Sequence, residues 1–171
     1  IGFRAPQEGE LARELLAGLA EEAVQAVGEK VYRDPSQTAV MQAGAIPEAL
    51  QVFARAAVDK ALKDPLLLDC LLGEYLTEPK AQVWFESQAA RELSWPQAVV
   101  LDRRTRMMHD AHHVFINGES FKASGRDAQL LRRLSNDRHL DARAVGQLSA
   151  PALTLLSDWC DDGWMHPQET I

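Results

Sequence analysis

The sequence has 171 residues and a mass of 19.0 kDa, and the 46% of residues that are hydrophobic can bury at least one core. A charged fraction of 25% with ordinary numbers of Gly and Pro excludes disordered and fibrous chains, and a formal net charge of -7 opposes a broad nucleic-acid-binding surface. The longest uncharged run, residues 35–47, is shorter than the roughly 18 apolar residues of a membrane span, so no transmembrane segment is predicted.

The first residues predict the end of a strand that belongs to a preceding domain. The chain opens Ile1-Gly2-Phe3-Arg4-Ala5-Pro6, without an initiator Met and without the basic and apolar regions of a signal peptide. Pro6 and the acidic residues up to Glu10 are typical of a loop that leads into a helix. We therefore expect the partners of this strand to lie upstream of Ile1.

Three helices are predicted in the first half of the chain. Apolar residues recur every three or four positions over residues 8–27, which indicates a helix with a wide apolar face. A second helix is expected to begin at Pro47, and Asp64-Pro65 combines a capping side chain with a proline at the first position of a third helix. Glu78-Pro79 ends the third helix, and the half up to residue 94 is expected to be essentially all helical.

The second half of the chain predicts a mixture of strands and helices. Runs of β-type residues are separated by Asn117-Gly118, the strongest short-range hairpin signal. Helical spacing returns after Arg126, where Asp141 and Ser149 are expected to cap two further helices, and residues 163–165 predict a closing strand. This order is typical of a winged-helix-like α+β domain. The predicted fold class is therefore mainly α with a small α+β part.

The histidine cluster at residues 109–113 is the first candidate metal site, because imidazoles beside a carboxylate suit zinc or non-haem iron. The cluster lies where a strand and a turn are predicted, so His112 and His113 should point to opposite faces. Asp110 directly follows His109, whereas an iron-binding facial triad would need a His-x-Asp spacing. A solvated hairpin turn is the favoured interpretation, and a metal site is the alternative.

The acidic segment at residues 158–163 is a second candidate, because together with Glu169 it partly matches a calcium-binding loop. Cys160 occupies the third ligand position and is a poor ligand for a hard cation. Pro167 and the chain end at Ile171 leave no room for the helix that follows such a loop. An acidic turn between a helix and the closing strand is therefore favoured.

No sequence motif indicates a nucleophile or a phosphate-binding loop. Ser120 does not lie in a Gly-x-Ser-x-Gly elbow, and neither cysteine has a nearby base. The basic cluster of Arg103, Arg104 and Arg106 could contact phosphates, but aspartates flank it, so a solvated strand face is favoured. The residues of this chain therefore predict no catalytic, cofactor-binding or metal-binding site.

Four segments, taken in order, resemble successive landmarks of the bacterial cupin-type JmjC ribosomal oxygenases. They span nearly the whole chain and are residues 1–6, 32–35, 75–80 and 115–119. The resemblance implies a parent protein whose N-terminal double-stranded β-helix binds iron(II) and 2-oxoglutarate and hydroxylates an arginine of a large-subunit ribosomal protein. Gly2-Phe3-Arg4 resembles the last strand of that barrel, so the metal-binding and 2-oxoglutarate-binding residues are expected before Ile1.

The resemblance also implies the organisation of this chain. It predicts the end of a preceding β-barrel domain at 1–7, a helical dimerisation region at 8–94 and a winged-helix-like C-terminal domain at 95–171. The chain alone is then non-catalytic and holds no cofactor, and its expected partners are a second copy and, through the parent protein, a ribosomal protein. Neither a membrane nor a nucleic acid is an expected partner. Cys70 and Cys160 occur in unrelated contexts, as is typical of a cytoplasmic protein.

Two further expectations follow from the residues. The apolar faces of the first two predicted helices exceed what these helices can cover, so a homodimer is predicted, with Leu15 and Leu19 as candidate interface residues. The competing hypothesis is a stand-alone winged-helix module that contacts protein or nucleic acid. A basic recognition helix would favour it, and the helix predicted at 127–138 is only mildly basic.

Overall fold

The computed structural model describes residues 6–33, 35, 44–87 and 93–168. The chain divides into two compact units, residues 1–71 and 72–171, called unit 1 and unit 2 below. None of the helices in the described part combines the length and the apolar character that crossing a membrane requires. The predicted strand end at residues 1–5 lies outside the described residues, and the functional regions proposed from the sequence stay predictions.

Unit 1 confirms the helices that the sequence predicts. Gly28, with a φ of 83°, ends the first helix, and Asp64 Oδ1 caps the third by accepting a hydrogen bond from the amide of Leu66 at 3.0 Å. The first two helices pack together, and Lys60 Nζ donates a hydrogen bond to the carbonyl oxygen of Val27 at 2.8 Å. The helices are α1 (Glu8–Val27), α2 (Glu48–Ala61) and α3 (Pro65–Thr77), of which α3 continues into unit 2.

Unit 2 contains two antiparallel sheets of three strands each. The first sheet has the order β5-β1-β6 and consists of β1 (Ala98–Leu101), β5 (His139–Leu140) and β6 (Met165–Gln168). The second has the order β2-β3-β4 and consists of β2 (Met107–His109), β3 (His113–Ile116) and β4 (Glu119–Lys122). Asn117 and Gly118 join β3 to β4 with φ values of 49° and 93°, as the Asn-Gly hairpin signal predicts.

Three helices complete unit 2, namely α4 (Gly125–Asp137), α5 (Ala142–Val145) and α6 (Ala150–Asp161). Asp141 caps α5 by accepting a hydrogen bond from the amide of Ala144 at 2.8 Å, and Ser149 caps α6 through the amide of Ala152 at 3.4 Å. The four residues 146–149 connect α5 to α6, a length typical of a helix-turn-helix. The predicted fold class, mainly α with a small α+β part, is confirmed.

The core of unit 2 explains why β3 is buried along its whole length. Val114 and Ile116 belong to the core cluster formed with the helices, whereas Phe115 points to the other face. There the ring of Phe115 meets the backbone of α3 at Gly73, where a Cβ atom would overlap the ring. The absence of a side chain at Gly73 therefore lets the end of α3 lie directly on the second sheet.

Residues 78–87 correct the expectation that the chain up to residue 94 is essentially all helical. They form neither a helix nor a strand and contain a turn at 81–82, and we call this segment the strap. Pro79 has no amide hydrogen and cannot continue α3. Backbone carbonyl groups of the strap accept hydrogen bonds from arginine side chains of the β1–β2 loop instead of from helical amides.

Candidate functional site

The histidine cluster forms a turn that its own aspartate stabilises. Asp110 Oδ1 accepts hydrogen bonds from the amides of His112 at 2.6 Å and His113 at 2.5 Å. Burial raises the pKa of Asp110, but these amide hydrogen bonds outweigh it and hold the pKa below the usual value. The predicted hairpin turn is confirmed. His112 is exposed and His113 is buried, and their rings lie edge-on to each other with centroids 6.3 Å apart.

The expectation of a fully solvated turn is wrong at His113. This side chain is only 5% exposed and lies against the ring of Phe115, because β3 is the central strand of its sheet. The Nδ1 atom of His113 lies 3.5 Å from Asp110 Oδ2. Within the described ranges, no group of three or more His, Cys, Asp or Glu residues is placed to hold a metal ion.

The acidic segment does not have the geometry of a calcium-binding loop. Asp158 and Asp161 belong to the last turn of α6, and only Asp162 and Gly163 continue into a turn. Burial, together with repulsion from Asp158 and Asp161, raises the pKa of Asp162. The last candidate ligand, Glu169, lies outside the described residues. The predicted acidic turn is thus confirmed for 162–163 and replaced by a helix end for 158–161.

Neither Ser120 nor Cys160 is arranged for nucleophilic catalysis. Ser120 Oγ donates a hydrogen bond to Glu74 Oε1 at 2.5 Å, so the oxygen faces a carboxylate and not an imidazole base. Burial, with a smaller contribution from Asp161, raises the pKa of the Cys160 thiol to about 12. A thiol with this pKa stays protonated at neutral pH and is a poor nucleophile.

Two arginines of the basic cluster bind the protein itself. Arg104 forms a two-pronged ion pair with Asp102, with Nε and Nη2 at 2.8 and 3.0 Å from the two carboxylate oxygens, and its Nη1 donates to the carbonyl oxygen of Trp84 at 2.6 Å. Arg106 Nη1 donates to the carbonyl oxygen of Glu78 at 3.0 Å. Arg106 is half-buried, whereas 46% of the Arg104 side chain remains exposed, so the predicted solvated character is confirmed for Arg104. Both arginines lie in the β1–β2 loop, so the expectation of a strand face is wrong.

The second helix of the helix-turn-helix is α6, the position that enters the major groove in DNA-binding relatives of this motif. The exposed residues at its centre include Thr154 and Asp158, and its twelve residues contain neither Lys nor Arg. A helix without Lys or Arg supplies no side chain that neutralises a phosphate charge, and such neutralisation dominates affinity for DNA. The geometry of this winged helix therefore does not favour duplex DNA.

The helix at residues 127–138, considered from the sequence as the recognition helix, is α4, and it lies outside the helix-turn-helix pair. Arg133 on this helix is paired with Asp137 at 3.3 Å and with Asp141 at 3.0 Å. Arg132 donates to the carbonyl oxygen of Ala111 at 2.8 Å. Arg132 and Arg133 of α4 thus bind groups of unit 2 itself.

Unit 1 exposes an apolar surface that is a candidate protein–protein interface. Leu16 and Val24 on α1 are 55% and 63% exposed, and large apolar side chains are also exposed on α2 and α3. These further residues are Leu50, Val52 and Val58 on α2 and Leu66 on α3, and Leu62 between the two helices is exposed as well. Leu19, by contrast, is buried within the monomer, so it is not available as the interface residue that the sequence suggested.

Comparisons with known proteins agree with this architecture. The family described as ROXA-like winged helix matches residues 60–166. No curated protein matches the sequence. A structure of YcfD, a ribosomal oxygenase from Escherichia coli, is similar over 99% of this chain and 48% of its own, with 19% identity and a TM-score of 0.74. The complex of YcfD with cobalt and 2-oxoglutarate matches with 20% identity, the same two coverages and a TM-score of 0.73. This chain thus spans about half the length of these solved structures.

Proposed function

Because this chain belongs to the ROXA-like winged-helix family, we propose that it is the non-catalytic dimerisation and accessory region of an iron(II)- and 2-oxoglutarate-dependent protein hydroxylase. The observation that carries the proposal is the family match over 60–166, supported by the similar fold of a ribosomal oxygenase over 99% of the chain. The parent enzyme would act in the cytoplasm on an arginine of a large-subunit ribosomal protein.

The described residues do not fit an iron site. The carboxylate of Asp110 is occupied by two amide hydrogen bonds, and His113 is buried against Phe115. Two imidazoles and a carboxylate around open positions are what such an iron would require. The proposal therefore assigns no step of the hydroxylation to these residues, and their part is to hold copies of the enzyme together and to carry the winged helix.

The proposed homodimer rests on the apolar surface of unit 1. A side chain such as Leu16, more than half exposed, loses contact with water when a second copy covers it, and such burial contributes about 25 cal/mol per Å². A self-complementary apolar face most often forms a two-fold dimer. Leu16 and Val24 are expected at this interface because they are exposed on the same helix.

Sedimentation velocity at micromolar concentration tests this proposal. The wild-type chain should sediment as a dimer, and Leu16→Asp should dissociate it because a carboxylate would be buried without a partner. Gln25→Asp is the matched control, since Gln25 is exposed and lies about half a turn round α1 from Leu16. A wild-type chain that sediments only as a 19.0 kDa monomer would exclude the dimer.

A further inference from the structure

The strap, residues 78–87, is held on the rest of unit 2 at two places. At its start, Arg106 donates to the carbonyl oxygen of Glu78 at 3.0 Å. Near its end, Arg104 Nη1 donates to the carbonyl oxygen of Trp84 at 2.6 Å, and the guanidinium lies over the ring of Phe85 at 5.4 Å from its centroid. The first set of contacts fixes the exit from α3, and the second fixes the far end of the strap.

The second contact site is built around one arginine. Asp102 orients Arg104 through two hydrogen bonds to its guanidinium, which leaves Nη1 directed at the strap. The ring of Phe85 packs edge-on against Trp164, with 6.4 Å between centroids. The strap also passes close to Gly163, where a side chain would block it, because a Cβ atom at this residue would lie 2.5 Å from the carbonyl oxygen of Glu86.

The strap is docked without being part of the core. None of its residues belongs to the core cluster of unit 2, and none pairs with a strand of either sheet. Trp84 is 76% exposed, and Val83 and Phe85 are half-buried. Segments with few buried apolar contacts open locally at a lower free energy than the core around them. The strap therefore has the contacts of an element that can leave while the rest stays folded.

We propose that the strap is a releasable element latched by Arg104, and that it undocks from unit 2 without unfolding of the winged-helix core. In the docked state, Arg104 binds a backbone carbonyl and an aromatic ring of the strap together. In the released state, the contacts of Arg104 with the strap are lost, and the face of Trp164 that contacts Phe85 is exposed. The strap thus alternates between a docked and a released form.

Limited proteolysis of the whole chain with trypsin tests the latch, because Lys80 is an exposed cleavage site within the strap. The rate of cleavage after Lys80 is followed by mass spectrometry. Arg104→Ala should raise this rate by about fivefold or more, since the hydrogen bond and the cation–π contact are both lost. Arg103→Ala is the matched control: it removes a neighbouring exposed arginine that, in the described part of the chain, shows no bond to the strap.

A second variant separates release of the strap from loss of the fold. Phe85→Ala alters only the strap, and it should also accelerate cleavage after Lys80 while cleavage after Lys122 in β4 stays unchanged. Combining Phe85→Ala with Arg104→Ala should add less than the two single effects predict, because both act on one contact. Equal rates for Arg104→Ala and Arg103→Ala, or equal acceleration at Lys80 and Lys122, would overturn the proposal.

Discussion

The contact between α3 and the second sheet makes a strong prediction for Gly73→Ala. A Cβ atom at Gly73 would overlap three carbons of the Phe115 ring. Phe115 is only 2% exposed and its ring centroid lies 5.8 Å from that of His113, so a shift of the ring would disturb buried neighbours. Adding a methyl group to such a packed position costs about 1–3 kcal/mol. Alanine restores roughly 0.5–1 kcal/mol of helix propensity, so the net loss lies between nearly zero and about 2.5 kcal/mol. The overlap with three ring carbons places the expected loss in the upper half of this range.

Urea unfolding followed by circular dichroism measures this loss. Gly9→Ala is the matched control, because Gly9 also lies in a helix but has nothing within 4 Å of the added Cβ atom. The control should be neutral or stabilising by up to about 1 kcal/mol. In the Gly73→Ala background, Phe115→Leu should recover part of the stability because the two sites are in contact. A Gly73→Ala protein as stable as wild type would refute this account of the packing.

Three further outcomes are expected. The hydrogen bonds from Arg104 hold the pKa of Asp102 below its usual range. Asp102 therefore stabilises the fold above its unfolded pKa of about 4, and this stability is lost as the pH falls. The Asp102→Asn variant should lose less stability than wild type when the pH is lowered from about 5 to 2 in acid unfolding experiments. Random duplex DNA at about 150 mM salt should bind no tighter than about 10⁻⁶ M in fluorescence anisotropy, and submicromolar binding lost in Arg132→Ala would contradict this. Thiol reagents should label Cys160 far more slowly than Cys70, because burial raises the pKa of Cys160 to about 12; equal labelling rates would argue against its burial.

Much of the secondary structure was predictable because its signals are local. Asp64 and Ser149 accept hydrogen bonds from amides two or three residues further along the chain. Asn117-Gly118 adopts positive φ values that few other pairs tolerate. Such contacts are set by neighbouring residues, so the first residues of α3 and α6 and the position of the hairpin could be predicted without knowledge of the tertiary fold.

The candidate surfaces were predictable only in part. The periodicity of α1 showed a wide apolar face, but it did not separate Leu19, which the monomer buries, from Leu16, which it leaves exposed. The strap was missed, and one glycine was its available signal. Gly163 lies where the strap approaches closely at Glu86, as a glycine in a turn sometimes indicates.

The amino-acid sequence alone specifies where elements begin and end, because capping and turn formation act over a few residues. Tertiary structure assigns the roles of those elements. The second helix of the helix-turn-helix is α6 rather than α4, and Arg104 binds the carbonyl oxygen of Trp84, twenty residues away. His113 is buried because β3 becomes a central strand. Each of these outcomes depends on tertiary contacts between segments that are distant in the sequence. Hydrophobic burial favours such contacts regardless of how far apart the segments lie along the chain.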